Sequence, residues 1–273
     1  MTTPFEVIAS HLHARSGLAL GSDKLYLLES RLAPIMRAEH LADLGALATK
    51  LQTNATESLS RAVVDAMTTN ESLFFRDSTP FDHLRNVALP QFHERRSPGQ
   101  PLRLWSAASS TGQEAYSMAM TVSEIAGVLA DRRVEIIGTD IASAPVERAN
   151  AGLYTPFEVQ RGLTGQQLAH YFKKEPSGWR ITPKLRGMVT FKEWNLLSPL
   201  TPLGMFDIVF CRNVLIYFDS ATKVRVLEAI RRQMAPDGLL YLGASETTLG
   251  LAPDLLRVAQ GCGVYAHAGF TTT

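Results

Sequence analysis

Polar side chains that could bind a ligand or take part in a reaction follow four short apolar runs of this sequence. The runs are Leu102–Ala107, Val134–Thr139, Val189–Trp194 and Phe206–Cys211. The polar residues after them are Glu114, which a small-residue turn separates from its run, Asp140, Asn195 and Arg212. If the runs are parallel strands of an open α/β sheet, their carboxyl ends meet at the edge where such sheets bind ligands. We therefore expect these four side chains to share one site.

The turn after the first run indicates which ligands this site favours. It reads Ala-Ala-Ser-Ser-Thr-Gly-Gln-Glu over residues 107–114 and has one glycine where a dinucleotide-binding fingerprint has three. Glu114, near the positive end of a helix, is a better receptor for a cation than for a phosphate. S-adenosylmethionine (SAM) carries an ammonium, a sulfonium and no phosphate. The alternative is that Glu114 only complements the helix dipole.

The second and third runs end in residues with two alternative roles. Asp140 lies where α/β nucleotide binders place an acid that hydrogen-bonds to ribose hydroxyls, but it could instead cap the helix predicted over Ala142–Ala151. Asn195, followed by the apolar Leu196, could contact an adenine edge or could begin a turn. Neither alternative can be decided from the residue types alone.

The fourth run and a segment near residue 70 add further candidates. A strand that ends in Arg212-Asn213 rather than in a turn former projects a charge and an amide into the site. Tyr217 either donates an orienting hydrogen bond or is an aromatic core residue. In the stretch Asn-Glu-Ser-Leu-Phe-Phe-Arg-Asp over residues 70–77, Asn70 and Ser72 could be ligand contacts or helix caps.

The elements that position these residues divide the chain in two. Residues 1–77 are consecutive amphipathic patterns and predict a small all-helical domain. Residues 78–273 alternate apolar runs with helical patterns and predict a doubly wound α/β sheet that ends in an antiparallel hairpin. The last helix is predicted over Ser220–Met234 and is closed by Pro-Asp-Gly at 236–238. The alternation fails over residues 156–187, which indicates a small inserted lobe.

Composition excludes several classes of function. Lys and Arg number 27 against 26 Asp and Glu, so no overall field would gather nucleic acid or anionic lipid. Cys211 and Cys262 have no metal-ligand spacing, and we expect no metal and a reducing cytoplasm. No basic segment precedes an apolar run at the N-terminus, and the uncharged stretch at residues 194–206 is shorter than the ~20 residues of a membrane helix. We therefore expect no signal peptide and no membrane insertion.

Read jointly, five ordered motifs closely resemble the CheR-type chemoreceptor glutamate methyltransferases. The motifs are Asn70-x-Ser-x-Phe-Phe-Arg76-Asp77, Trp105-Ser-Ala-Ala with Thr111-Gly-x-Glu114, Thr139-Asp140-Ile, Asn195-Leu-Leu, and Phe210-Cys-Arg212-Asn-x-x-Ile-Tyr217-Phe. The later Pro236-Asp-Gly and Gly243-x-Ser-Glu246 fit the same pattern, and the resemblance covers nearly the whole chain. Ser72, Gln113 and Ala115 depart from it, since the family commonly has Thr, Glu and Pro there.

The resemblance implies a fold and a set of cofactor contacts. The fold is a helical N-terminal domain, a class I SAM-dependent methyltransferase domain, and a small β-subdomain, which we place at residues 156–187. The implied SAM-binding residues are Asn70, Ser72, Arg76, Glu114, Asp140, Asn195, Leu196, Cys211 and Arg212.

The implied activity is methyl transfer from SAM to glutamate side chains of chemoreceptor cytoplasmic domains, with S-adenosylhomocysteine (SAH) as product. Because a glutamate is already ionised at neutral pH, no catalytic base is required and the enzyme's task is positioning. Arg212 would orient the acceptor carboxylate and Tyr217 would add a hydrogen bond. Two alternatives stay open: a class I methyltransferase with another carboxylate acceptor, and a non-catalytic module that binds SAM or SAH and signals by contact.

The expected partner is the helical bundle of the receptor. The family implies that basic residues of the N-terminal helices, here Lys24, Arg31 and Arg37, contribute to its recognition. Some family members also bind a pentapeptide at the receptor C-terminus through the β-subdomain. Here the segment Lys173–Ile181 looks short, and we expect little or no pentapeptide affinity. We expect a monomer.

Overall fold

The computed structural model describes residues 2–130, 132–259 and 261–269, which form two compact units. The first unit contains the chain up to Thr69 together with Tyr217–Lys223, and the second contains Asn70–Ile216 and the chain from Val224 onward. The structure thus places the boundary at Thr69, whereas the sequence analysis placed it at residue 77. The segment 70–77, with three of the predicted site residues, belongs to the second unit.

Four helices make up most of the first unit. They are α1 (Pro4–Ser16), α2 (Leu25–Ala38), α3 (Leu44–Thr53) and α4 (Glu57–Met67). Helix α1 begins at a capping box in which the Thr3 hydroxyl accepts from the Glu6 N–H and the Glu6 carboxylate accepts from the Thr3 N–H. Fully buried Ile8, Leu12 and Leu28 form part of its core. The all-helical prediction is confirmed.

Two of the three basic residues expected to recognise a receptor have partners inside this unit. Arg31 Nη1 donates to the carbonyl oxygens of Met67 and Thr68, at 3.0 and 3.1 Å, and so caps the C-terminal end of α4. Lys24 lies 3.1 Å from the carboxylate of Asp23. Arg31 is therefore a structural residue of the helical unit, which its helix-surface spacing alone did not reveal.

The second unit contains two sheets, a mixed one of seven strands and a separate one of three, among its described residues. Its strands are β1 (Leu102–Ala107), β2 (Val134–Asp140), β3 (Leu153–Tyr154), β4 (Phe172–Glu175), β5 (Gly178–Ile181), β6 (Val189–Glu193), β7 (Phe206–Cys211), β8 (Met234–Leu242), β9 (Leu255–Ala259) and β10 (Gly263–His267). Its helices are α5 (Thr79–His83), α6 (Leu89–Arg95), α7 (Gln113–Glu124), α8 (Ser143–Ala151), α9 (Pro156–Gln160), α10 (Gly165–Tyr171), α11 (Pro183–Arg186) and α12 (Ser220–Arg231), whose first residues belong to the first unit.

Seven strands pair in the order β6-β2-β1-β7-β8-β10-β9. Strand β10 is antiparallel to both of its neighbours, and the remaining pairs are parallel. This confirms the predicted doubly wound sheet with a terminal antiparallel hairpin. Ala107 is in register with Thr139 on one side and with Cys211 on the other, so β1, β2 and β7 end at one level. Every residue of β7 is buried, as expected for a central parallel strand.

Strands β3, β5 and β4 form a separate three-stranded sheet where the sequence indicated an inserted lobe. Glu175 pairs with Gly178, so the hairpin between β4 and β5 turns through two residues. Phe74 contacts the rings of Tyr154 and Phe172 edge to face, with centroid distances of 4.9 and 5.5 Å. These aromatic contacts join the small sheet to the segment 70–77.

The predicted extent of the last helix is wrong at its C-terminal end. Helix α12 stops at Arg231, and Met234 begins strand β8. Residues 235–238, including Pro-Asp-Gly, lie in an irregular part of that strand, where the register with β7 shifts. Two hydrogen bonds of 2.8 and 2.6 Å from the Arg96 guanidinium to the Asp237 carboxylate stabilise this irregularity.

Candidate active site

Asp140 ends strand β2 and holds the turn that follows strand β1. Its Oδ2 accepts a 2.8 Å hydrogen bond from the Ser110 N–H, and its Oδ1 accepts one of 3.0 Å from the Ala142 N–H. The second bond organises the start of α8, so part of the capping alternative is realised. A carboxylate offers about four acceptor positions, of which these two main-chain bonds use two.

Glu114 and Arg212 form a buried ion pair at the ends of β1 and β7. Arg212 Nη1 lies 3.1 Å from Glu114 Oε2, and the Ser106 hydroxyl donates to Glu114 Oε1 at 2.8 Å. Arg212 Nη2 donates, at 2.8 Å each, to the Asp77 carboxylate and to the Arg76 carbonyl oxygen. Burial raises the pKa of the Glu114 carboxyl above its ordinary value, and the charge of Arg212 opposes that rise.

Arg212 is nearly inaccessible in this arrangement. Its side chain is 1% exposed, and its Nη atoms bond to groups of Glu114, Asp77 and Arg76. The role predicted for Arg212, to orient the acceptor carboxylate, stays a prediction, and in this arrangement both Nη nitrogens bond to acceptors of this chain. Among the described residues, Arg76 makes no side-chain hydrogen bond or ion pair, and it is partly exposed.

The segment 70–77 lies against the turn after β1. The carbonyl oxygen of Asn70 accepts a 2.8 Å hydrogen bond from the Ser110 hydroxyl, and the Phe75 N–H donates to the Ser117 hydroxyl at 2.9 Å. Ser72, between them, is partly exposed. The structure therefore brings Asn70, Ser72 and Arg76 to the same edge of the sheet as Asp140 and Glu114.

Backbone strain is concentrated at this edge. Seven described residues other than glycine have positive φ, and five belong to the segments just described or to the end of β7. These five are Phe75 (φ 47°), Asp77 (56°), Ala108 (57°), Ser110 (50°) and Asn213 (59°). Such conformations cost about 1–3 kcal/mol each and cluster where function requires them.

Asn195 lies two residues after strand β6, and Cys211 is the last residue of strand β7. Asn195 Oδ1 accepts a 2.9 Å hydrogen bond from the Leu197 N–H, so this residue does begin a turn, and Leu196 is buried beside it. The turn is fastened to β2, since the Trp194 N–H donates to the Asp140 carbonyl oxygen at 2.7 Å. Cys211 is fully buried, and burial raises the pKa of its thiol well above the ordinary value.

Tyr217 is the predicted site residue that the structure places in the first unit. Its carbonyl oxygen accepts a 2.9 Å hydrogen bond from the Ala19 N–H, and neighbouring Phe218 bridges to Leu18. The side chain is partly exposed, so Tyr217 is not a fully buried core residue.

Sequence reasoning missed two acids of the site as functional residues. Asp77 belongs to a quoted motif but received no role, and Glu246 closes the motif Gly-x-Ser-Glu without an assigned function. Glu246 accepts hydrogen bonds from four main-chain N–H groups. An acid directly after a serine and three residues after a glycine, just beyond an apolar run, was the available signal.

Three buried polar atoms near the strand ends have no hydrogen-bond partner among the described residues. They are Nε of Arg212, Nε1 of Trp194 and Oγ of Ser109, which follow β7, β6 and β1. Buried polar atoms are normally paired, so polar atoms of a ligand or of water molecules would complete the hydrogen bonds of this edge. Within residues 2–130, 132–259 and 261–269, no group of three or more His, Cys, Asp or Glu could hold a metal ion. Nor does any helix of those residues have the length and apolar character to cross a membrane.

Comparison with known proteins covers both units. A family model described as "CheR methyltransferase, all-alpha domain" matches residues 3–68, and one described as "CheR methyltransferase, SAM binding domain" matches residues 70–261. A chemotaxis protein methyltransferase of Pseudomonas putida, Cher2, is 42% identical over 261 residues, 94% of each chain. The chemotaxis protein methyltransferase of Escherichia coli is 36% identical over 247 residues, 89% of this chain and 83% of that protein.

Proposed function

We propose, from the premise that this chain belongs to the CheR methyltransferase family, that it forms methyl esters on glutamate side chains of chemoreceptor cytoplasmic domains. SAM-dependent methylation in chemotaxis, on a class I methyltransferase fold, is the activity of this chain. The identity of the acceptor as glutamate and the role of each site residue are what we propose.

The observation that carries the proposal is a pair of fixed carboxylates that follow adjacent strands, Asp140 at the end of β2 and Glu114 in the first turn of α7, the helix after β1. Asp140 is fixed by two main-chain N–H groups, and Glu114 is fixed by Arg212 and Ser106. One carboxylate suits the ribose hydroxyls of SAM, and the other suits its ammonium. The single glycine of the turn matches a ligand without phosphate. The residues present therefore fit SAM.

The remaining contacts follow from position and charge. Arg76, which has no side-chain partner among the described residues, is available for the carboxylate of the ligand. Asn195 and Leu196 would hold the adenine, and Asn70, Ser72 and the main chain of Cys211 and Arg212 would complete the site. When bound, SAM supplies a methyl group made electrophilic by its sulfonium.

For methyl transfer, the chain has to bring an already ionised carboxylate into line and exclude water. Arg212 contributes by holding Glu114 and Asp77, which makes it a positioning residue in this proposal. Tyr217 keeps its predicted role as hydrogen-bond donor to the acceptor. Arg37, which is exposed on α2, remains available for receptor recognition together with Lys24. We further propose a monomer acting in the cytoplasm, where the receptor domains lie.

Transfer of labelled methyl from SAM to isolated receptor cytoplasmic domains tests the proposed function. We expect label on glutamate side chains that is released by mild base, and no transfer above background with Asp140→Ala at low SAM. Base-stable label, or label on a different acceptor, would contradict glutamate ester formation. SAH binding with no transfer to any receptor domain would favour a non-catalytic module.

A further inference from the structure

Three successive main-chain N–H groups after strand β7 converge on one carboxylate. Asn213, Val214 and Leu215 donate hydrogen bonds of 2.8, 3.0 and 2.8 Å to the side chain of Glu246. Asn213 has φ 59°, and turns of this kind aim consecutive N–H groups into a concavity that binds anions. Glu246 supplies that anion from within the chain.

The turn that follows strand β8 holds Glu246 in place. The Gly243 N–H donates to Glu246 Oε2 at 2.7 Å, and the Glu246 N–H donates to the Gly243 carbonyl oxygen at 2.9 Å. A Cβ at Gly243 would lie 2.8 Å from Glu246 Oε2 and 3.0 Å from the Asn213 nitrogen. The close approach therefore requires glycine at this position. Glu246 is 8% exposed, which leaves it little access to a ligand.

These contacts restrain the main chain on both sides of Arg212. Cys211, before it, is paired in the sheet with Ala107 and Leu242. Asn213, after it, is bonded to Glu246. The direction from which the Arg212 guanidinium reaches Glu114 is thus set by the sheet on one side and by Glu246 on the other.

We propose that Glu246 is a positioning residue of the methyl-transfer site. Its carboxylate holds the loop from Arg212 to Leu215, so that Arg212 keeps Glu114 and Asp77 in their places. The inference rests on the proposed function, since it takes those residues to serve SAM. Both oxygens are used: each accepts two main-chain N–H groups. An amide would keep one acceptor oxygen and turn an NH₂ group toward the other N–H donors.

The test compares Glu246→Gln and Glu246→Ala in the full chain with the wild type. A displacement of about 1 Å can cost about 100-fold in rate, and we expect turnover to fall by about 10- to 100-fold. We expect SAH affinity, measured by calorimetry, to fall as well, with the glutamine variant between wild type and alanine. Thermal unfolding establishes the temperature at which every variant is folded, and both assays are made there.

Asp237→Asn is the matched control. Asp237 lies near the beginning of β8, before the turn that carries Glu246, and its carboxylate accepts hydrogen bonds of 2.8 and 2.6 Å from Arg96. Like Glu246→Gln, this substitution replaces a carboxylate with an amide and weakens charge-assisted hydrogen bonds. We therefore expect it to lower the Tm. Because Asp237 is at the amino edge of the sheet, we expect wild-type SAH affinity and turnover in the folded protein.

Two results would overturn the inference. The first is a Glu246→Gln variant whose Tm is lowered as much as that of Asp237→Asn but whose SAH affinity and turnover equal those of the wild type. Glu246 would then contribute to stability only. If neither Glu246 variant folds, Gly243→Ala, which crowds the same carboxylate, is measured in their place. Wild-type turnover in that variant is the second result that would overturn the inference. Asp140→Ala measured alongside separates the two proposals. Unchanged SAH affinity in the Asp140 variant would contradict the ribose role that the proposed function gives to Asp140, whereas a loss there without a loss in the Glu246 variants contradicts only this inference.

Discussion

Arg212 is the residue on which the charges of the site converge. Its side chain is 1% exposed, and it faces the carboxylates of Glu114 and Asp77 at 3.1 and 2.8 Å. Removing one member of a buried ion pair costs about 3–5 kcal/mol, because the other charge stays buried without compensation. Such a pair is retained here at the edge where the sheet binds its ligand. Its value to the protein therefore lies in holding the side chain of Glu114 in place at that edge.

Asp140→Ala should weaken SAM and SAH binding together, because both ligands carry the ribose. Loss of charge-assisted hydrogen bonds of about 1.5–3 kcal/mol predicts affinities lower by about 10- to 100-fold. Calorimetry with each ligand measures the effect. Glu135→Ala is the control, since Glu135 lies on the same strand at its amino end and pairs with Arg103 and Arg133. Equal affinities of the two variants would remove Asp140 from the ribose role.

Affinity for SAH should fall as pH falls through the raised pKa of Glu114. Burial favours the neutral carboxylic acid in the free protein, whereas the ligand ammonium favours the carboxylate. Ligand binding near that pKa therefore releases a proton, and affinity rises with pH. Calorimetry in two buffers of different ionisation enthalpy detects the proton. Glu114→Gln should bind more weakly and lose this pH dependence, and a profile unchanged in that variant would assign the titration to another group.

At the scale of elements, the small sheet β3-β5-β4 and the residues directly after α9 contact the site from one side. The Tyr154 hydroxyl donates to the Thr111 carbonyl oxygen at 2.7 Å, and Arg161 lies 3.3 Å from the Glu71 carboxylate. Gly162 (φ 94°) approaches so closely that a Cβ there would lie 1.8 Å from the Phe74 carbonyl oxygen. The inserted lobe thus supports both the turn after β1 and the segment 70–77.

Gly162→Ala should therefore lower both stability and cofactor affinity. The Cβ clash and the positive φ force the lobe or the segment 70–77 to move, at a cost of about 1–3 kcal/mol. Thermal unfolding and SAH calorimetry measure the two effects. Gly165→Ala is the control, because no atom lies within 4 Å of the corresponding Cβ. A Gly162 variant that behaves like the Gly165 variant would show that the lobe adapts without disturbing the site.

At the scale of the whole molecule, recognition of a protein substrate depends on surfaces away from the strand ends. Strand β4 is an edge of its small sheet, and its exposed Lys173 and Lys174 disfavour the addition of another strand. The two-residue turn to β5 offers no long loop beside that edge. The hydrogen bonds of Arg31 to the end of α4 restrict its guanidinium to that position.

We therefore predict that the full chain does not bind a pentapeptide from a receptor C-terminus. Calorimetric titration of the free peptide at concentrations up to about 1 mM should give no heat above dilution. That result would limit the binding free energy to less than about 4 kcal/mol. Methylation of a receptor domain truncated by those five residues should equal that of the intact domain. Micromolar peptide binding would contradict the prediction.

Local pattern alone determined much of this protein. Strands β1 and β7 begin and end where the predominantly apolar runs Leu102–Ala107 and Phe206–Cys211 do, because buried parallel strands are rich in apolar residues. The order of the acids and amides at strand ends was enough to predict a ligand site at the carboxyl edge. The two-residue strand β3 was missed, since it is too short to show a periodicity.

Only the tertiary structure decided which groups these side chains face. Arg212 reads in sequence as a free cation at a strand end, yet its partners Glu114 and Asp77 lie 98 and 135 residues away along the chain. Glu246 meets Asn213 across 33 residues through the turn after β8. Contacts of this kind depend on strand order and register, which bring distant strand ends to one edge. No local pattern of residues records that arrangement, and it is what determines whether a charge is open to a substrate or used to hold the site together.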